Sequence, residues 1–145
     1  MINDIEHFKA LENMYLAAPV NKYHQPKIKV SDSRSEISIT LKESMYHSAG
    51  AVHGSVYFKL LDDSAFFAAN SLEKEFFVLT SSFTTYLLKP VIDGELTAVG
   101  KVVSTSRSQW IVESIVYYHG SEVARGSGVF VRGKYPLQKA KGYSS

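Results

Sequence analysis

Residues 54–70 read Gly-Ser-Val-Tyr-Phe-Lys-Leu-Leu-Asp-Asp-Ser-Ala-Phe-Phe-Ala-Ala-Asn, and this stretch decides the architecture. Val56, Tyr57, Phe58, Leu60, Leu61, Ala65, Phe66, Phe67, Ala68 and Ala69 leave few polar positions. The run is too long for one strand and has no Gly or Pro inside it. A helix that is apolar nearly all round is a buried helix. The segment therefore predicts a central helix over 54–70, covered on most sides.

On its N-terminal side, residues 3–17 read as a short amphipathic helix. Asn3 and Glu6 fit a capping box. Ile5, Phe8, Leu11 and Tyr15 fall three or four apart on one face, and Pro19 ends the run. Residues 20–27 read as a loop. Over 35–42, Ile37, Ile39 and Leu41 alternate with Glu36, Ser38, Thr40 and Lys42, the pattern of a half-buried strand. Residues 44–53, with Ser48, Ala49 and Gly50, read as a loop. Beyond the central helix, residues 76–88, 95–105, 109–119 and 122–132 are β-rich. Asp93-Gly94 marks a turn, and breaks at 106–108 and 119–121 point to antiparallel hairpins. Residues 133–145 contain Gly133, Pro136 and Gly142 and read as a flexible tail outside a single domain of residues 1–132. One long helix plus several antiparallel strands is an α+β layout. The simplest way to bury the helix is a curved antiparallel sheet of five to six strands wrapped around it.

Composition narrows the function. The chain has 145 residues, which fits one domain. It is 45% hydrophobic and 21% charged, which excludes a disordered chain. Cysteine is absent, so disulfides and thiolate chemistry are excluded. A net charge of +2 is no nucleic-acid signature, and no nucleic-acid partner is expected. Asp4, Glu6 and Lys9 leave no basic region followed by an apolar one at the start. No apolar run approaches the roughly 18 residues of a membrane span. The expected compartment is the cytoplasm, with no membrane partner.

The chemistry concentrates in residues 47–65, where a Gly-containing loop enters the central helix. The first N–H groups of a helix have no internal partner and, with the macrodipole, suit an anion or a polarised carbonyl oxygen. Gly54 lets a ligand come close to its N–H; it equally eases a tight turn, and both readings stand. Asp62 and Asp63 need an explanation, because an unpaired buried carboxylate is costly. Asp63 has Lys59 four residues earlier, a possible ion pair. Asp62 shares its stripe with Phe58, Phe66, Ser55 and Ala69, where burial raises its pKa. That is how a general base or nucleophile is tuned; the alternative is a carboxylate bonded to backbone amides. Gly54 and Asp62 lie about 12 Å apart along the helix. If both serve one reaction, the acid comes from a second copy, so the chain is expected to dimerise.

His53-Gly54-Ser55 followed by Leu60-Leu61-Asp62, with Asp nine residues after His, resembles the hotdog-fold acyl-CoA thioesterases of the PaaI type. Their signature is an Asn-containing loop, Gly, two residues, His-Gly-Gly, then an apolar helix with Asp at that spacing. Thr80 to Pro90, Gly94-Glu95-Leu96-Thr97-Ala98 and Gly120-Ser121-Glu122-Val123-Ala124 resemble later family segments. The likeness spans about residues 35–132. His47 stands where the family has Asn, and Ser55 where it has the second Gly.

The resemblance implies a hotdog fold forming a homodimer or tetramer, and hydrolysis of an acyl-coenzyme A thioester to free acid and coenzyme A. The coenzyme is part of the substrate, and no separate cofactor is implied. By position, the Gly54 N–H polarises the thioester carbonyl and His53 shapes the loop or helps bind the thioester. Asp62 of the other subunit activates water or attacks the carbonyl, and Thr80 positions the water. Such polarisation contributes on the order of 10²–10³ in rate. His47 is placed to donate to a carbonyl or thioester sulfur, and Ser55 adds a hydroxyl. The departures at these two positions keep a non-catalytic hotdog domain that binds acyl-CoA as the alternative, with an enoyl-thioester hydratase or dehydratase behind it.

Other features carry less. His47 and His53 lack a third ligand, so no metal site is expected. His7, His24 and His119 read as surface residues. No nucleophile elbow, Walker segment or dinucleotide fingerprint is present. Gly126-Ser127-Gly128 inside a strand reads as a close contact or bulge. Lys89, Arg107, Arg132 and Lys134 are candidates for the coenzyme phosphates, and Trp110 for its adenine or for the sheet. Phe58, Phe66, Phe67, Phe83 and Tyr86 form either an apolar acyl pocket, suited to aryl or medium-chain groups, or plain core.

Overall fold

The structure is a computed structural model that describes residues 2–145. Helix α1 (Asp4–Ala17) starts at a complete capping box: Asn3 Oδ1 accepts from the Glu6 N–H at 2.9 Å, and Glu6 Oε1 accepts from the Asn3 N–H at 3.2 Å. A single-turn helix, α2 (Asn21–His24), and strand β1 (Lys27–Ser31) follow. β1 lies where no strand was expected, although Ile28 and Val30 alternate with Lys27, Lys29 and Ser31. Its pairing with β2 (Arg34–Thr40), Ile28 to Ile37 and Val30 to Ser35, creates it. Helix α3 (Gly54–Asn70) occupies the predicted range. Strands β3 (Phe76–Leu87), β4 (Glu95–Thr105), β5 (Gln109–Tyr118) and β6 (Ser121–Pro136) complete the chain.

The six strands form one sheet in the order β1-β2-β4-β5-β6-β3, antiparallel throughout. α3 touches all six. Its Leu60, Leu61, Ala65, Ala68 and Ala69 are fully buried, as are Ile37, Leu96, Ala98, Val112, Val116, Ala124 and Phe130 of the sheet. Apolar burial of this kind is the main force holding the helix in place. Gly100 sets the closest approach, since a Cβ there would lie 2.3 Å from the Ser64 carbonyl oxygen. Ser35 Oγ donates to that same carbonyl at 2.6 Å. On β6, Gly126 and Gly128 lie beneath the ring of Phe83, which a Cβ would meet at 2.4 and 2.5 Å. These glycines therefore make a close strand contact, one of the two readings the sequence allowed.

Two expectations are corrected. The chain after residue 132 is not a tail outside the domain: β6 runs to Pro136, and the buried Leu137 donates its N–H to the Glu75 carbonyl at 2.9 Å. His7 is not a surface residue but is fully buried. Its Nε2 lies 2.8 Å from the Asn70 carbonyl, which only accepts, so Nε2 carries the proton and Nδ1 accepts from the Tyr143 hydroxyl at 2.6 Å. Burial holds the His7 pKa below its usual value. The Gly and Pro residues that read as loop signals border a segment anchored by contacts distant in sequence.

Replacing Gly100 by Ala forces helix and sheet apart. The Gly100→Ala variant is expected to lose about 1–3 kcal/mol of stability, the usual cost of overpacking. Urea unfolding measures this, and an unchanged midpoint would contradict the close approach.

Candidate active site

α3 and β3 run past each other along the open edge of the sheet. Every fourth residue of α3 meets a helix-facing residue of β3. Gly54 lies against Leu87, 2.9 Å from a built Cβ to Cδ1. Phe58 meets Phe83 edge-to-face at 5.6 Å between centroids. Asp62 accepts from the Thr80 hydroxyl at 2.9 Å. Phe66 packs on Phe77 at 5.0 Å. Helical periodicity puts these four on one stripe. β3 pairs only with β6, so its outer edge has no strand beside it among the described residues.

The start of α3 opens on a cavity of about 360 Å³, walled by His47, Ala51, Val52, Gly54, Tyr57, Leu87, Leu88, Lys89 and Pro90. The Gly54 N–H makes no hydrogen bond among the described residues. It is therefore free for an acceptor in the cavity. His47 Nδ1 accepts from the Ala49 N–H at 3.0 Å, leaving the other ring nitrogen as a donor. Tyr57, buried, donates its hydroxyl to the Lys89 carbonyl at 2.9 Å and so fixes the lip that carries Lys89. Burial raises the Tyr57 pKa, keeping it a neutral donor. No local pattern marks Tyr57 for this role, which depends on where Lys89 passes the helix.

The two adjacent carboxylates have different surroundings. Asp63 Oδ2 accepts from Lys59 Nζ at 2.7 Å and from the Tyr15 hydroxyl at 2.6 Å. The Asp63–Lys59 pair predicted from spacing is thus formed. Asp62 has no cation on it; Thr80 occupies Oδ1, and Oδ2 is unbonded among the described residues. Burial pushes the Asp62 pKa up, with the charge of Asp63 adding to the rise, while the Thr80 hydrogen bond and Lys59 oppose it.

The remaining predicted residues scatter. His53 caps α3: its Nδ1 accepts from the Ser55 N–H at 3.1 Å and from the Ser55 hydroxyl at 2.8 Å. His53 and Ser55 face a second cavity, of about 290 Å³, beside Tyr23, His24 and Ser44 rather than the one at Gly54. Lys89 lines the Gly54 cavity. Arg132 does not: its Nε donates at 2.5 Å to the buried Glu73, past the far end of α3. Arg107 sits in the β4–β5 turn, beyond the row Thr80–Phe130–Trp110, whereas the cavity adjoins the row Leu87–Ala124–Val116. Phe66, partly buried, packs against Phe67, Phe77 and Phe130. Trp110 is core. Residue type identifies arginines and aromatics as candidates; only the strand register says at which end of the sheet they lie. Among the described residues, no three His, Asp or Glu side chains converge as metal ligands.

Comparison with known proteins agrees with this arrangement. The model of the thioesterase superfamily matches residues 49–124, just over half of the chain. No curated protein matches the chain in sequence. The E. coli PaaI protein from the phenylacetic acid degradation operon has a similar structure, with a TM-score of 0.80 at 22% identity, covering 90% of this chain and 97% of its own. A variant of PaaI from Thermus thermophilus gives 0.73 at 19% identity, covering 80% of this chain and 100% of its own. A thioesterase from Haemophilus influenzae gives 0.73 at 15% identity, covering 82% and 85%. The structural likenesses establish the fold, and the sequence match establishes the family. This chain is a hotdog-fold member of the thioesterase superfamily.

Proposed function

We propose that the protein hydrolyses acyl-coenzyme A thioesters as a homodimer, with each site shared between two copies. The observation that carries this reading is Asp62: a partly buried carboxylate with a raised pKa, no cation, and one free oxygen, on the same helix face as the free Gly54 N–H. The Gly54 N–H donates to the thioester carbonyl oxygen. Water held at Asp62 Oδ2 gives up its proton as it attacks the carbonyl carbon. The tetrahedral intermediate then collapses, the C–S bond breaks, and coenzyme A leaves as the thiolate, which is protonated. Electrostatic stabilisation of the oxyanion by preorganised donors is the major catalytic term in such chemistry. Lys89 on the cavity lip supplies a positive charge for the coenzyme phosphates. His47 retains a ring donor where the related thioesterases carry Asn, which favours turnover over binding alone. The proposed place of action is the cytoplasm, a compartment that suits a chain without cysteine.

The open edge of β3 supports the shared site. Leu79, Tyr86 and Leu87 are each more than half exposed there. An unpaired, partly apolar edge is a template for another strand. A two-fold axis at Thr84 pairs that residue with its own copy. With the irregularity between Thr80 and Ser82, it sets Leu87 opposite the partner's Thr80. Asp62 of each copy then faces the partner's Gly54, which removes the separation of about 12 Å within one helix. Two such dimers joining would give the tetramer.

Thiol release from a panel of short, long and aromatic acyl-CoAs tests the activity. Asp62→Asn is expected to lower kcat/KM at least about 10²-fold, as loss of a general base does. In the native protein, kcat/KM should fall on the acid side with a midpoint above the ordinary aspartate value of 3.8, and that limb should vanish in the variant. Acyl-CoA binding without thiol release would leave a binding module, and hydration of an enoyl-CoA would assign the dehydratase chemistry.

The same carboxylate opposes folding. Its native pKa is raised, so the native state holds the proton more tightly than the unfolded chain. Stability therefore falls as pH rises through the native pKa. Asp62→Asn should melt higher than the native protein at neutral pH, and the difference should disappear on acidification.

The pairing at Thr84 has its own test, because the chain has no cysteine. Thr84→Cys should form a covalent dimer under mild oxidation, whereas Ile5→Cys on exposed α1 should not. Equal cross-linking in both variants would reject the β3 edge as the interface.

A further inference from the structure

Lys59 lies three residues before Asp62 and four before Asp63, so helical geometry lets its ammonium reach either carboxylate. The structure shows it on Asp63, at 2.7 Å, with both side chains about four-fifths buried. Two further contacts favour that choice. The Tyr15 hydroxyl donates to the same Oδ2 of Asp63 at 2.6 Å. The ammonium also lies over the Tyr15 ring, 5.5 Å from its centroid, a cation–π arrangement. Tyr15 is itself buried. Asp62, one residue away, is left with only the Thr80 hydroxyl.

We propose that Tyr15 and Asp63 are positioning residues that hold the Lys59 ammonium away from Asp62, keeping the reacting carboxylate free of a cationic partner. This rests on the reading of Asp62 as general base. An ammonium on Asp62 Oδ2 would take the place of the water and make the carboxylate a weaker base. With Asp63 ionised, the negative and positive neighbours of Asp62 offset one another. The groups facing Asp62 are Lys59 and Asp63 from its own helix and Thr80 from β3, with Tyr15 of α1 behind Asp63. On this account α1 is part of the catalytic apparatus, although it touches no substrate.

The test reads the titration of the Asp62 carboxyl by carbon NMR, assigned by its loss in Asp62→Asn, alongside kcat/KM. In Asp63→Asn, which keeps the shape and an acceptor for Tyr15, the Lys59 charge is uncompensated. The Asp62 midpoint should move down, and kcat/KM at neutral pH should fall on the order of tenfold, a size set by one close unscreened charge. In Lys59→Gln the midpoint should move up. The double variant should return it to the native position and recover kcat/KM relative to Asp63→Asn. Tyr15→Phe should move the midpoint in the same direction as Asp63→Asn, by less. The opposite shifts of the charge variants follow from Coulomb interaction alone; Tyr15→Phe removes no charge, so its shift reads the position of the Lys59 ammonium, and an unchanged Asp62 midpoint in that variant would overturn the proposal. Midpoints that move the same way in both single variants, or no recovery in the double, would overturn the proposal. If Asp62→Asn retains full turnover, the general-base reading fails, while the Asp62 midpoint in Tyr15→Phe still judges where Lys59 goes.

Discussion

The contact between α3 and the edge strand β3 is the constraint on which the candidate site depends. It sets Gly54 beside Leu87, Phe58 beside Phe83, and Asp62 beside Thr80. None of these pairs exists until the helix is pressed into the sheet, and two features control how closely that happens. Gly100 lets the helix backbone approach the sheet without a Cβ between them. Gly126 and Gly128 make a bed for Phe83, so the ring lies down over β6. Close packing transmits small changes in such positions, so glycines on β4 and β6 govern the placement of side chains on α3 and β3.

Asp62 and Asp63 are chemically identical and adjacent, yet the fold gives them opposite tasks. One is neutralised by a lysine and, by accepting from the Tyr15 hydroxyl, fastens α1 to the central helix. The other is stripped of cations and partly dried, so its charge is held at some expense to stability. Environments that separate two carboxylates in this way are a usual sign of a working acid–base group. The same logic explains why His53 and His47 differ in use. His53 uses its acceptor nitrogen at the helix start, whereas His47, in the cavity wall, binds the Ala49 N–H through Nδ1 and keeps its other ring nitrogen as a donor.

An exposed strand edge is normally guarded by charge, proline or a bulge. β3 carries two irregularities, at Phe76–Val78 and at Thr80–Ser82, but also several exposed apolar residues. The dimer proposed above accounts for the exposed residues and for the irregularity near Thr80: in it a second copy covers the edge, and that irregularity sets which residues of the two copies face each other. The C-terminal residues contribute from another direction. His7 bridges the end of α3 and Tyr143, tying α1, the central helix and the chain end together.

Much of this was legible in the amino-acid order. The apolar run 54–70, the capping box at Asn3 and the alternation around Ile37 are local patterns, and local patterns report local structure. The His53-Gly54 to Asp62 spacing and the Lys59–Asp63 pair are also local, lying within one helix. Residue order alone therefore specifies the central helix, most of the strands, and the residues that carry the candidate chemistry. Which of them meet is settled only when the chain folds. The anchored C-terminus, the buried His7, the role of Tyr57 and the withdrawal of Arg132 to Glu73 all depend on partners distant in the chain. Such contacts arise from strand register and from how deeply the helix sinks into the sheet, and neither leaves a periodic trace in the chain.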